Sequence, residues 1–172
     1  MSVRLVVPTK EHEKDALAFK QEFFDYGETT INGSELLDQM DDYDAWLQSV
    51  TNNANVETVS SDWVLTDTFF AVDDAGCIVG IIDLRHELKV FLVDFGNSGY
   101  SVRPSQRKKG YATEMLHLII DVAAKSGMKE MHLSVERSNT PSVKTIERNG
   151  GVYERSFEFE GEQADVYCVA IG

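Results

Sequence analysis

The segment from Ser98 to Gly127 constrains the fold of this chain more than any other. Ser98 to Arg103 reads as a strand ended by Pro104. Ala112, Met115, Leu116, Ile119, Ile120 and Ala123 then recur at the helical period, and Lys125-Ser126-Gly127 stops the helix. Between them Arg107, Lys108 and Lys109 run directly into Gly110. A strand, a basic turn and an amphipathic helix commit the chain to a sheet with a helix laid across it. The glycine lets the backbone turn closely and expose successive N–H groups. Those groups, with the positive end of the helix dipole, form an anion site suited to phosphate. Arginine can grip phosphate with two parallel hydrogen bonds. A solvated basic loop is the other reading of the same residues.

The cluster stands out because the chain carries 29 acidic against 16 basic residues, a net charge of -13. That balance argues against nonspecific nucleic-acid binding, and it suits solubility or a cationic acceptor. The loop is neither a GxxxxGKS/T phosphate loop nor a dinucleotide GxGxxG, so any phosphate is held by a different turn. At 172 residues the chain is expected to be one domain, residues 1–172, with a substantial core. No run of about 18 apolar residues predicts a membrane span. Met1 to Lys10 lacks the apolar core of a secretion signal, which predicts a cytoplasmic protein. Cys77 and Cys168 are far apart, without metal-ligand spacing, and are expected to be free thiols with no metal bound.

Ser2 to Val7 reads as a first strand, broken by Pro8. Thr9 is a candidate N-cap for a helix to about Tyr26, with Ala16, Phe19 and Phe23 on one face. Gly33-Ser34 is expected to open a second helix along the stripe Leu36, Leu37, Met40, Tyr43 and Leu47, followed by a loop from Thr51 to Asp62. Thr68–Val72, a turn at 73–76 and Cys77–Glu87 predict a β-hairpin. Met131, Leu133 and Val135 alternate as a strand, and Thr140-Pro141 starts a short helix closed by Asn149-Gly150-Gly151. Val152–Glu160 and Ala164–Ile171 are final strands meeting at Gly161. The order is β-α-α-β-β-β-α-β-α-β-β, an α/β (α+β) domain.

Val102 to Ala112 resembles motif A of the GNAT superfamily of N-acetyltransferases, whose consensus is Q/R-x-x-G-x-G/A; Arg107, Gly110 and Ala112 fill its three positions. Asn139 to Gly151 resembles motif B, an Asn before a short helix that ends in Gly. The element order is similar as well, so the resemblance covers nearly the whole chain. It is closer still to a subgroup of predicted acetyltransferases whose acceptors are undefined. The resemblance implies a mixed, mostly antiparallel seven-stranded sheet with about four helices. A central pair of parallel strands, those of Ser101 and Leu133, would splay apart. It implies acetyl-CoA as co-substrate, with its pyrophosphate on Lys108 to Thr113 (Lys108, Lys109, Gly110, Tyr111, Ala112, Thr113) beside Arg107. Tyr100, Ser101 and Val102 would pair with the pantetheine arm, and Asn139 and Ser142 would also contact the cofactor. The implied acceptor is a primary amine of a small molecule or peptide, with no nucleic acid and no membrane as partner. Homodimers are frequent in the family, though no residue here fixes an interface.

In the family reaction the amine attacks the thioester directly. The amine must lose a proton, the oxyanion needs a donor, and the thiolate must leave. The Val102 N–H is the candidate oxyanion donor. The usual motif B tyrosine position is Ile146, so the usual acid is missing, with Tyr153 or Tyr111 as substitutes. The usual base position counts to Ser134; Glu136, His86 and Glu87 are the candidate bases. His12, His117 and His132 read as structural. The acceptor pocket would lie at about Phe23 to Met40, where Asp25, Tyr26, Glu28 and Glu35 could hold a cationic amine. The missing tyrosine leaves two alternatives open: an acyl-CoA-binding regulatory module with weak or no transfer, and a longer acyl-CoA as donor.

Overall fold

Buried on both faces, the strand β3 (Ile78–Arg85) organises the molecule, in a computed structural model that describes residues 2–172. Ile78 and Ile81 face a core built with α1 (Glu13–Asp25) and α2 (Tyr43–Asn53). Val79, Ile82 and Leu84 face the core beneath α3 (Tyr111–Lys125). That double burial explains the nearly continuous apolar run in the sequence. β3 is flanked by β2 (Thr66–Val72) and by the short β4 (Tyr100–Val102), with β1 (Arg4–Val6) beyond β2, giving the order β1-β2-β3-β4. A second ladder runs β5-β7-β6, from β5 (Glu130–Glu136), β6 (Val152–Phe159) and β7 (Glu162–Ala170). Every ladder pair is antiparallel. The helix α4 (Thr140–Arg148) packs on α3 and β5.

The seven expected strands are thus present as four plus three, and the division lies between β4 and β5, the pair expected to splay. Among the described residues no ladder joins those two strands. The segment leading into β4 touches β5 through an isolated bridge between Gly96 and Leu133, reinforced where the Asn97 N–H donates to the His132 carbonyl at 2.7 Å.

One expectation needs correcting. No helix starts at Gly33-Ser34: residues 34–39 form turns, and α2 begins only at Tyr43, where the Asp42 carboxylate accepts the Asp44 N–H at 3.0 Å. Gly33, Glu35 and Leu36 have φ of +76°, +50° and +74°, a left-handed run that no right-handed helix accommodates. Leu36 points outward, 56% exposed, while Leu37 is buried. The segment from Thr51 therefore starts inside α2, which runs to Asn53. None of the helices among the described residues is long and apolar enough to cross a membrane.

Candidate active site

A cleft of about 1230 Å³ opens where β4 and β5 part. One wall is β4, which pairs with β3 in the register Tyr100↔Ile82, Ser101↔Ile81 and Val102↔Gly80. The Asp83 N–H donates to the Gly99 carbonyl and the Arg103 N–H to the Val79 carbonyl, so the odd-numbered residues are the hydrogen-bonded pairs. By the alternation of an antiparallel ladder, the main-chain groups of Tyr100 and Val102 then point away from β3 into the cleft. Those of Ser101 do not, and its hydroxyl donates instead to the Asn32 carbonyl at 2.8 Å. The Val102 carbonyl accepts from Arg107 Nε at 3.2 Å. The Val102 N–H remains directed at the opening.

Next comes the basic turn. Lys108 and Gly110 have φ of +65° and +85°, both left-handed, and Gly110 caps α3. The two reversals turn successive N–H groups toward the cleft, and the first-turn N–H groups of α3 have no acceptor within the helix. A Cβ on Gly110 would meet nothing within 4 Å, so open space lies in front of this cradle. Lys108, Gly110, Tyr111, Ala112 and Thr113 all line the cleft. These residues fit a pyrophosphate.

The arginine of the cluster is already engaged. Arg107 grips the Glu28 carboxylate with two bonds of 2.7 Å, and its guanidinium stands over the Phe23 ring at 5.5 Å. That pairing holds the Glu28 carboxyl below its ordinary range. Lys109 donates to Gln106 Oε1 and does not line the cleft. The main chain, the helix end and Lys108 face the cleft, and Lys144 and Arg148 of α4 add cations to its lining.

The opposite wall comes from β5 and α4. Ser134 and Glu136 line it, with Asn139 and Ser142 at the start of α4. The Asn139 side chain caps the helix, accepting the Ser142 N–H at 3.3 Å. The Tyr100 hydroxyl crosses from β4 to within 2.6 Å of Ser142 Oγ, and burial pushes its pKa up. Ile146, the position of the missing tyrosine, is 1% exposed and belongs to the core. A side chain there would not face the cleft. Of the substitutes, Tyr111 lines the cleft, whereas Tyr153 is largely exposed and pairs with Ser156.

The three candidate bases are not brought together. Glu136 lines the cleft at the exposed end of β5. His86 turns away: its Nε2 lies 2.7 Å from Asp67 Oδ2, and neither it nor Glu87 reaches the wall. Of the acceptor-side residues, Glu28 lines the cleft but is tied to Arg107, Asp25 accepts from Gln21, and Tyr26 is 60% exposed. Glu35 is different. Burial pushes its carboxyl up to about 8, helped by the neighbouring Asp83 and opposed by Arg85. Asp83 and Arg85 were not singled out from the sequence. The available signal was an aspartate inside the otherwise apolar run of β3.

The chain matches the family described as Acetyltransferase (GNAT) domain over residues 4–152. No curated protein matches it. Among solved structures it is similar to the ribosomal α-N-protein acetyltransferase RimL in complex with coenzyme A: TM-score 0.72, 12% identity, covering 99% of this chain and 95% of that one. The microcin self-immunity acetyltransferase MccE, in complex with acetyl-CoA and AMP, superposes with a TM-score of 0.70 at 16% identity, covering 98% and 92%. A chimera of the spermidine N-acetyltransferase SpeG from Vibrio cholerae with hSSAT gives 0.67 at 13%, covering 99% and 96%. At such identities these likenesses show the fold, and the family match spans all but the final strands. With its parted β4 and β5 and its glycine-opened α3, the chain belongs to the GNAT acetyltransferase family.

Proposed function

We propose that the protein transfers an acetyl group from acetyl-CoA to a primary amine of a small molecule or peptide, by direct attack of the amine on the thioester. The observation that carries this reading is the N–H cradle at Lys108–Thr113, opening on a cleft of about 1230 Å³ between strands that do not pair. A volume above the roughly 300–1,000 Å³ of ordinary small-ligand pockets suits a long donor and a separate acceptor entering together. Solved relatives in complex with coenzyme A or acetyl-CoA are consistent with it.

In this reading the cradle and Lys108 hold the pyrophosphate. The outward main-chain groups of Tyr100 and Val102 align the pantetheine arm, and the Val102 N–H donates to the thioester oxygen as negative charge develops on it. The Tyr100 hydroxyl, held by Ser142, replaces the motif B tyrosine as proton donor toward the leaving sulfur. Asn139 acts through the start of α4, which it caps. Arg107 lines the cleft but is engaged by Glu28 and the Val102 carbonyl, and it acts by holding them in place. Of the sequence-based bases, Glu136 is the one at the cleft, placed to pass a proton to water.

The test is release of free thiol from acetyl-CoA across a panel of arylalkylamines, polyamines, aminoglycosides, amino acids and peptides, with acetylated product identified by mass. Turnover with a primary amine is expected. Tight coenzyme A binding with no turnover across the panel would favour the regulatory-module alternative.

A further inference from the structure

Beside the main cleft, and sharing Gly33 and Arg85 with it, lies a smaller cavity of about 220 Å³. Its lining includes Ser34, Glu35, Asp38, Asp83 and Arg85. Asp83 is fully buried, and each of its oxygens is fixed: Oδ1 accepts the Gly99 N–H at 2.7 Å, and Oδ2 accepts from Arg85 at 3.1 Å. Arg85 is in turn pinned through Nε to the Gly96 carbonyl at 2.9 Å. Glu35 is held less firmly, packed against the Asp83 carboxyl and the Trp63 indole. Its Oε1 is buried with no hydrogen bond, as are Ser34 Oγ, on a residue 1% exposed, and Trp63 Nε1. Ser34 and Glu35 line the small cavity and Trp63 the cleft beside it, and buried polar atoms left without good hydrogen bonds are costly unless something completes them.

Charge balance says what that is. With both carboxyls ionised, Glu35, Asp83 and Arg85 sum to one negative charge in a poorly hydrated site. Without ligand those three groups balance only if Glu35 keeps a proton, the direction its buried setting imposes, and Asp38 in the same lining leaves the cavity formally negative even then. Asp83, with a backbone donor and a guanidinium, holds the charge. A cation at the cavity would let Glu35 ionise and would give the unpaired oxygens their donor. Asp38, the other acid in the lining, is occupied by the Ile31 N–H at 2.7 Å.

The adjoining cleft, which shares Gly33 and Arg85 with this cavity, has aromatic walls. Trp63 stacks near Phe91 at 5.9 Å, Phe95 meets Phe159 edge-on at 5.5 Å, and all four line the cleft. Phe91 and Phe95 are 51% and 43% exposed, an apolar surface left uncovered at the mouth.

We propose that Glu35 and Asp83 share one proton in the free enzyme and together receive the ammonium group of the acceptor, an amine on an apolar or aromatic body lying against Trp63, Phe91 and Phe95. The inference rests on the transferase reading of the cleft. As the ammonium binds, the shared proton leaves to solvent and Glu35 becomes a carboxylate. Glu35 then takes one proton from the ammonium. The free amine attacks the acetyl carbon, the C–N bond forms and the C–S bond breaks. The Tyr100 hydroxyl gives its proton to the departing sulfur and regains one as the second nitrogen proton leaves, giving amide and thiol. Glu35 is left protonated, ready to exchange that proton for the next ammonium.

The test uses the full chain, 2-phenylethylamine as probe and 2-phenylethanol as its uncharged twin. Carboxyl-carbon NMR of the free protein should show Glu35 titrating near 8. Saturating amine should lower that midpoint by about one pH unit or more, and the alcohol should not. Glu35→Gln keeps the shape of the protonated acid and so should fold. It should lower kcat/KM about 100-fold or more and abolish its rise with pH. Asp83→Asn, which also removes a charge from the pair, should weaken amine binding about tenfold. Glu35 titrating as an ordinary carboxyl, an equal response to the alcohol, or a larger loss from Glu136→Gln would each overturn the proposal. A Glu35 response to the amine without thiol release would keep the cation site and remove the transferase reading. Thiol release unchanged in Glu35→Gln would do the reverse.

Discussion

Gly33 and Gly110 make a controlled pair for testing how the site is positioned. Both are left-handed, with φ of +76° and +85°, so replacing either by alanine carries the same backbone penalty, about 1–2 kcal/mol. Their surroundings differ. A Cβ on Gly110 meets nothing within 4 Å, whereas one on Gly33 would lie 2.2 Å from the Gly99 carbonyl oxygen and 2.8 Å from the Tyr100 nitrogen. Both neighbours are main chain, held by the β3–β4 ladder and by Asp83 at Gly99, so no flexible side chain can give way. Relief needs a shift of about 1 Å, and overpacking of that kind adds roughly 1–3 kcal/mol. Gly33→Ala should therefore cost about 2–5 kcal/mol in total, against about 1–2 for Gly110→Ala. For a chain of this size each kcal/mol lowers Tm by about 2–4 °C, so paired thermal melts resolve the difference. Losses equal to within about 0.5 kcal/mol would refute the close approach of the Gly33 loop to β4.

Other outcomes follow from the same geometry. Gly110→Glu should weaken coenzyme A binding about tenfold or more, by setting a carboxylate against phosphate, as read by calorimetry. Lys108→Ala should cost more coenzyme A affinity than Arg107→Ala, because Arg107 is already tied to Glu28; the two partners are each about 40% exposed, so the stability change in Arg107→Ala should stay below about 1 kcal/mol. Tyr100→Phe should lower kcat by about 10²-fold while leaving the amine KM nearly unchanged. Burial pushes the Glu35 carboxyl from its ordinary 4.5 up to about 8 in the folded chain, so the native state binds the extra proton between those values. Its contribution to stability is complete below 4.5 and declines as pH rises through 8. Chemical denaturation from pH 5 to 9 should show a flatter profile in Glu35→Gln.

The sequence made the donor side of the cleft legible and left the acceptor side obscure, for a physical reason. Gly110, the cations before it and the helical period after it lie within one local stretch, so periodicity and turn chemistry suffice. The α2 region misleads because Leu36, Met40, Tyr43 and Leu47 keep helical spacing across a turn. Two consecutive left-handed residues, Glu35 and Leu36, break it without a proline or glycine at either position. The pairing of Glu35 with Asp83 joins residues far apart in the chain through the fold alone. Glu35 was among the acids expected to hold a cationic amine, whereas Asp83, a charge inside an apolar strand, was not singled out. The orientation of Val102 depends on ladder parity, which requires the register itself.

The central claim is that the donor lies on the α3 cradle and along the open edge of β4. Amide chemical shifts recorded while coenzyme A is titrated in would test it directly. The backbone N–H signals of Lys108 to Thr113, with those of Tyr100 and Val102, should move together and saturate at one equivalent, while the Ser101 N–H, bonded within the ladder, moves least. If those signals stayed in place while coenzyme A bound elsewhere, the account of this cleft would be wrong.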